Sequence, residues 1–169
     1  MICVCGNYVS GDFCKVCDRI LIEKDMPVKT KKSAVKKAKK KSSKSLENKL
    51  WEIFSEYIRK RDAKKFSGGD FGKCITCSHI AHWKEMDCGH GISRRHQATK
   101  FDEKNNHAQC KGCNGLKSGK QFEYMLEVDR KYGKGTGEML LAKSKHSVKR
   151  TSFEFEILIE EYKRKLKEL

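Results

Sequence analysis

The sequence predicts an α+β chain: a small, loop-rich centre stapled by metal and flanked by helices. Three observations lead there. Two Cys-x-x-Cys pairs, Cys74/Cys77 and Cys110/Cys113, bracket 32 residues. On either side of this stretch, apolar residues recur at three- and four-residue steps, the period of a helix with one buried face. And only 37% of the 169 residues are hydrophobic while 36% are charged. So small a core gains from a metal staple.

Taken in chain order, residues 1–20 read as a first cysteine unit. Cys3, Cys5, Cys14 and Cys17 form a Cys-x-Cys and a Cys-x-x-Cys pair, with turn-forming Gly6, Asn7, Gly11 and Asp12 between them. Twenty residues cannot bury a core, but four thiolates on Zn²⁺ can order them, since structural zinc supplies on the order of 10 kcal/mol. Residues 21–45 read as a lysine-rich flexible linker. It contains Lys36, Lys37, Lys39, Lys40 and Lys41 and has almost no large apolar group. Such a segment cannot offset its ordering entropy when free, and it suits a non-specific, salt-sensitive grip on phosphates.

The third unit spans 46–169. Leu46, Leu50, Ile53, Phe54, Tyr57 and Ile58 place one apolar stripe on a helix over 46–66, with cations at its C-terminal end, until Ser67-Gly68-Gly69-Asp70 breaks it. After the central stretch, 70–118, Ser118 and Gln121 have capping-box spacing for a helix over 119–132 with Phe122, Met125, Leu126 and Val128 inward. A short helix is expected over 137–144. Thr151 and Glu154 form a second capping box, opening a helix to about 168 with Phe153, Ile157, Leu158, Tyr162 and Leu166 on its inner side.

Composition narrows the function classes. The net charge of +16 favours a polyanion as partner, with nucleic acid first. A membrane surface fits less well, because the lysines lack a facing apolar stripe. No apolar run reaches the roughly 18 residues of a membrane span. The first ten residues lack the basic and apolar regions of a secretory leader, so a cytoplasmic location is expected. In that reducing setting, eight of the nine cysteines, paired as they are, read as thiolate ligands of two structural Zn²⁺ ions rather than disulfides. Cys88 is left over.

The chemistry lies between the central pairs. In order come His90, Asn105 and, directly behind the last cysteine, Asn114. Histidine, asparagine, then asparagine is the order of an HNH nuclease site. Hydrolysis of a phosphodiester needs a base for water and a cation on the phosphate. An imidazole can accept a proton near neutral pH, so His90 suits the base. Asn105 suits the group that orients it. Asn114 offers a hard oxygen to Mg²⁺ or Mn²⁺. If a helix opens near Cys110, Cys113 and Asn114 lie about 100° apart around it, so one can face zinc while the other faces His90. Four thiolates leave that zinc no open position for water, so its role is structural. Arg94 and Arg95, and Lys111 and Lys117 around Asn114, are the expected phosphate contacts.

The segments CITC (74–77), GHGISR (89–94), KFDEKN (100–105) and QCKGCN (109–114) resemble the NinG (Rap) recombination endonucleases of lambda-like phages. The resemblance runs over roughly 46–165 and is most specific in 74–119. It implies a ββα-metal (His-Me finger) nuclease core and structure-specific cutting of branched DNA such as Holliday junctions and D-loops. It also implies a bacterial host cell and recombination proteins as partners. One position departs from the wider nuclease pattern: zinc-stapled resolvases of T4-like phages place aspartate directly before the catalytic histidine, where this chain has Gly89. Asp87 lies two residues further back. On a regular strand it shares a face with Gly89 and not with His90, so as second metal ligand it is expected to need a bulge. A homodimer would let two strands be nicked symmetrically. Two other classes use much of the same pattern: a zinc-dependent DNA-binding or regulatory protein without catalysis, and an HNH nuclease of restriction or homing type.

Overall fold

A computed structural model describes residues 42–169, together with two short strands near the N-terminus. The chain divides into two units, Met1–Lys39 and Lys40–Leu169. In the first, β1 (Phe13–Cys14) pairs antiparallel with β2 (Arg19–Ile20). Cys3, Cys5, Cys17 and the linker lysines Lys36, Lys37, Lys39, Lys40 and Lys41 lie outside the described residues. Cys14 ends β1, where its backbone alone is described.

The second unit is mixed helix and small sheet. α1 runs Ser43–Ser67. It begins three residues before the apolar stripe because the Ser42 hydroxyl accepts from Ser45 N and caps it. It ends where Gly68 turns left-handed at φ 72°, a conformation that costs glycine nothing. The predicted stripe packs as expected: Leu46, Leu50, Phe54, Tyr57 and Ile58 are buried, with Ile53 against their edge.

A hairpin follows, β3 (Phe71–Lys73) antiparallel to β4 (Ile80–His82). After a 3₁₀ turn at Trp83–Glu85 comes β5 (Met86–His90). β5 pairs antiparallel with β6 (Asn106–Cys110) in unbroken register, from Met86 opposite Cys110 to His90 opposite Asn106. The loop between them holds one helical turn, α2 (Gln97–Lys100). α3 (Gln121–Tyr132), α4 (Thr136–Ser144) and α5 (Ser152–Lys167) complete the chain. α5 packs along α1, closing a core in which Phe54 meets Tyr162 and Phe101 edge-on at 4.9 and 5.6 Å.

Three expectations need correction. No helix opens at Cys110: β6 runs to that residue, a single π-helical turn (Gly112–Leu116) follows, and α3 starts only at Gln121. Ser118 does not cap α3; the residue before the helix is Lys120, left-handed and without a side-chain cap. The inward faces of α3 and α5 are also rotated. Tyr124 and Val128 are the buried residues of α3, while Phe122 and Leu126 are exposed. On α5, Phe155, Ile159 and Tyr162 are buried, and Phe153 and Ile157 are exposed. The Thr151–Glu154 capping box does form.

α1 also carries charge into the interior. Asp62 is buried and accepts from His107 Nδ1 at 3.0 Å and from Ala108 N at 2.9 Å, while Arg61 Nη2 lies 2.8 Å from its other oxygen. Burial works against the Asp62 charge, but these partners hold its carboxyl well below the usual carboxylate range. The pair locks α1 to the middle of β6, the strand that pairs with β5 and ends at Cys110.

Candidate metal centre and polar cleft

The four central cysteines come from three elements: Cys74 and Cys77 from the turn after β3, Cys110 from the end of β6, and Cys113 from the π turn. Their sulfurs all lie within 4.8 Å of one another, with Cys77 and Cys110 at 3.6 Å. Tetrahedral zinc with bonds of about 2.3 Å sets its sulfurs roughly 3.8 Å apart, so the cluster can hold such an ion. Electrostatics agree. Burial opposes ionisation of Cys74, yet hydrogen bonds from the Cys110 backbone and the Thr76 hydroxyl bring its thiol down to about 6. Burial and the neighbouring sulfurs push Cys77 up to about 12. A dication relieves that crowding of thiolates. Neither His79 nor His82 belongs to the cluster; the His82 ring instead caps the 3₁₀ turn by accepting from Lys84 N. Cys88 also stands apart. Burial pushes its thiol up to about 12, and it faces the Asn106 side-chain oxygen.

The π turn has two sides. Cys113 is buried toward the sulfur cluster. The next residue, Asn114, lines a cleft of about 340 Å³ together with Asp87, His90 and Arg94. The predicted division of labour between adjacent residues is present, on a wider turn than the predicted α-helix. Asn114 Nδ2 donates to Asp87 Oδ2 at 2.9 Å. That leaves the Asn114 side-chain oxygen and the Asp87 carboxylate as neighbouring hard donors, a set that fits Mg²⁺ or Mn²⁺.

Asp87 reaches this cleft without the expected bulge, since the β5–β6 register is continuous. β6 ends at Cys110, opposite Met86, and the π turn that follows brings Asn114 to Asp87, the next residue of β5. The structure also explains Gly89. A Cβ there would stand 2.7 Å from the Gln109 Cβ and collide with its side-chain oxygen. Gln109 cannot easily withdraw, because it is fully buried and donates to the Gly119 carbonyl at 2.8 Å. No aspartate can take that place in this packing.

His90 is half-buried, and its Nδ1 is buried with no hydrogen-bond partner among the described residues. Burial, then the charge of Arg94, lowers its pKa below the ordinary 6.5, which keeps the ring neutral and basic at pH 7. Asn105 does not orient that ring directly, contrary to expectation. Fully buried, it accepts from Ile92 N at 2.7 Å and donates to the carbonyls of Ile92 and Thr99 at 3.0 and 3.1 Å. All its side-chain bonds brace the loop that leaves His90. Its carbonyl accepts from Gly91 N as well.

Of the predicted phosphate contacts, Arg94 lines the cleft and lies 4.9 Å over the Trp51 ring. Arg95 is exposed but does not line it. Lys111 and Lys117 line a neighbouring groove, beside Cys77, Cys110 and Cys113. Sequence reading missed the opposite wall, made of Trp51, Ser55 and Arg59 from α1. Their spacing of four was a usable signal, one helical stripe beside the apolar one.

The fold and site thus define a class: an α+β protein with a cluster of four cysteines that could hold a metal, beside a polar cleft. The family model described as Bacteriophage Lambda NinG protein matches residues 13–169, and the chain belongs to that family. No curated protein and no solved structure matches it. Among the described residues no helix is long and apolar enough to cross a membrane.

Proposed function

We propose that the protein is a divalent-metal-dependent DNA endonuclease of the HNH, or His-Me finger, kind, with branched recombination DNA as substrate. One observation carries this reading: His90, Asp87 and Asn114, from a strand and from the cysteine-anchored turn, line a single cleft whose rim carries Arg59 and Arg94. The basic charge of the chain and its family support DNA as the polymer. The choice of Holliday junctions and D-loops rests on the resemblance noted above.

In this reading the two guanidiniums hold the phosphodiester in the cleft; Arg59, whose Nε and Nη1 donate to the carbonyls of Ser55, Trp83 and Met86, offers Nη2. His90, whose charged form burial and Arg94 disfavour, takes a proton from the attacking water. Asn105 keeps the loop behind His90 in place, so the ring meets the water at a constant angle. Asp87 and the Asn114 amide oxygen would hold the Mg²⁺ or Mn²⁺ ion. When bound, that ion supplies positive charge for the phosphate and the departing 3′ oxygen. The zinc site takes no part in the reaction; it anchors the turn that presents Asn114.

The test compares wild type with His90→Ala on a four-way junction, a D-loop and a linear duplex, with Mg²⁺ or Mn²⁺. The variant is expected to bind junctions as wild type does and to cut them at least about 100-fold more slowly. Equal cutting by both proteins would remove His90 as the base. No cutting by wild type with either metal would leave a zinc-dependent DNA-binding protein.

A further inference from the structure

Arg59 has two neighbours of different kinds. It lines the polar cleft, and its guanidinium also lies 5.4 Å from the centre of the Trp83 ring. Lys60 Nζ stands 4.7 Å and Lys84 Nζ 5.6 Å from the same ring. Lys60 also pairs with Glu56, whereas Arg59 and Lys84 have no acidic partner among the described residues. Three cations therefore gather around one half-buried indole. Its orientation is held by Nε1–H, which donates to Asp70 Oδ1 at 3.1 Å.

The aromatic surface continues away from the cleft. The His82 ring is 5.7 Å from Trp83 and tilted by 30°. Phe71 is 5.9 Å from His82, edge-on, and faces it directly across the β3–β4 register. Phe71 is 54% exposed, too open to be a core residue. A single exposed aromatic needs no explanation. A row of rings at steps under 6 Å, bordered by cations and starting at the wall of the cleft, has the make-up of a single-strand platform. Bases stack on the rings, and phosphates meet the cations. A duplex keeps its bases stacked on one another and offers no free face to such a row.

The geometry points to a binding surface for unpaired DNA on the β3–β4 hairpin and the turn after it, with Trp83 and Phe71 as stacking platforms and Arg59, Lys60 and Lys84 as phosphate contacts. Arg59 joins this surface to the cleft, so a strand cut there would continue onto the rings. That link to cleavage rests on the nuclease reading; the binding does not. It also gives a physical reason for preferring branched DNA, since a branch point supplies unpaired nucleotides beside intact duplex.

Binding of labelled oligo-thymidine, and of a blunt duplex of equal length, is measured by fluorescence anisotropy without added Mg²⁺ or Mn²⁺. Trp83→Ala and Phe71→Ala are each expected to weaken oligo-thymidine binding on the order of tenfold while duplex affinity changes less than about twofold. Trp83→Phe keeps the affinity but loses most of the quenching that oligo-thymidine causes in the intrinsic tryptophan emission. Phe71→Ala, at an exposed site, guards against a Trp83 variant that simply fails to fold. The surface is refuted if oligo-thymidine leaves the emission unchanged, if both alanine variants bind it as wild type does, or if both DNAs lose affinity equally. A chain that binds through Trp83 yet cuts nothing overturns the nuclease reading and leaves this surface standing. His90-dependent cutting of branched DNA with no effect of either alanine variant on oligo-thymidine overturns the surface alone.

Discussion

His90 combines burial with a nearby guanidinium, and both work in the same direction. Each disfavours the imidazolium, so the ring stays neutral to a lower pH than a free histidine does. A base acts only when unprotonated, so in the proposed nuclease the cutting rate should rise with pH through a midpoint below the ordinary 6.5 of histidine. Replacing Arg94 by Gln removes one of the two causes, and the midpoint should move up toward the ordinary histidine value. A single-turnover pH profile of both proteins checks this, and a midpoint unmoved or shifted to lower pH would contradict it. The neighbouring side chains show how position decides role. Asn105 and Asn106 are adjacent, and both are buried. The Asn105 amide braces the loop after His90, whereas the Asn106 amide donates to the carbonyls of Lys100 and Asp102.

Among the elements, the π turn bears most on function. It is short, and Cys113 is its one buried residue. Its place is set by Cys113 on one side and by the Asn114–Asp87 hydrogen bond on the other. Loss of the sulfur cluster should therefore reach the cleft. Cys113→Ser is expected to remove one zinc ion per chain by elemental analysis and to lower the thermal midpoint, with cutting lost even though every cleft residue is intact. In a chelator-stripped wild type, zinc and not magnesium should restore the lost melting transition. Unchanged zinc content in Cys113→Ser would rule out the cluster as a site. The helices give a contrasting lesson. The capping box at Thr151 was readable because both partners lie within one turn and need nothing else. The box expected at Ser118 fails because the chain there is left-handed at three successive residues, Ser118, Gly119 and Lys120, on leaving the π turn. Local spacing could not register that exit geometry.

For the molecule as a whole, charge should govern DNA affinity. Each phosphate neutralised on duplex DNA contributes about 0.9 to the slope of log affinity against log salt. Changing Lys36, Lys37, Lys39, Lys40 and Lys41 together to Ala should lower that slope by up to about 4.5, with the proposed cutting rate at saturating protein little changed. An unaltered slope would show that the linker does not grip phosphate. The α+β class, the four central cysteines, the long first helix and the order His90, Asn105, Asn114 were legible in the residues, because ligand spacing and helical period are local properties of the chain. Other features had to wait for the packed chain. Arg59 and Trp51 join the cleft only because α1 lies along β5, and the inner faces of α3 and α5 depend on which neighbours they meet. Asp87 meets Asn114 because the π turn after β6 folds back beside the start of β5. Period and spacing say which residues can share a face; which face ends up opposite which is set by contacts between segments far apart in sequence, and no local pattern encodes them.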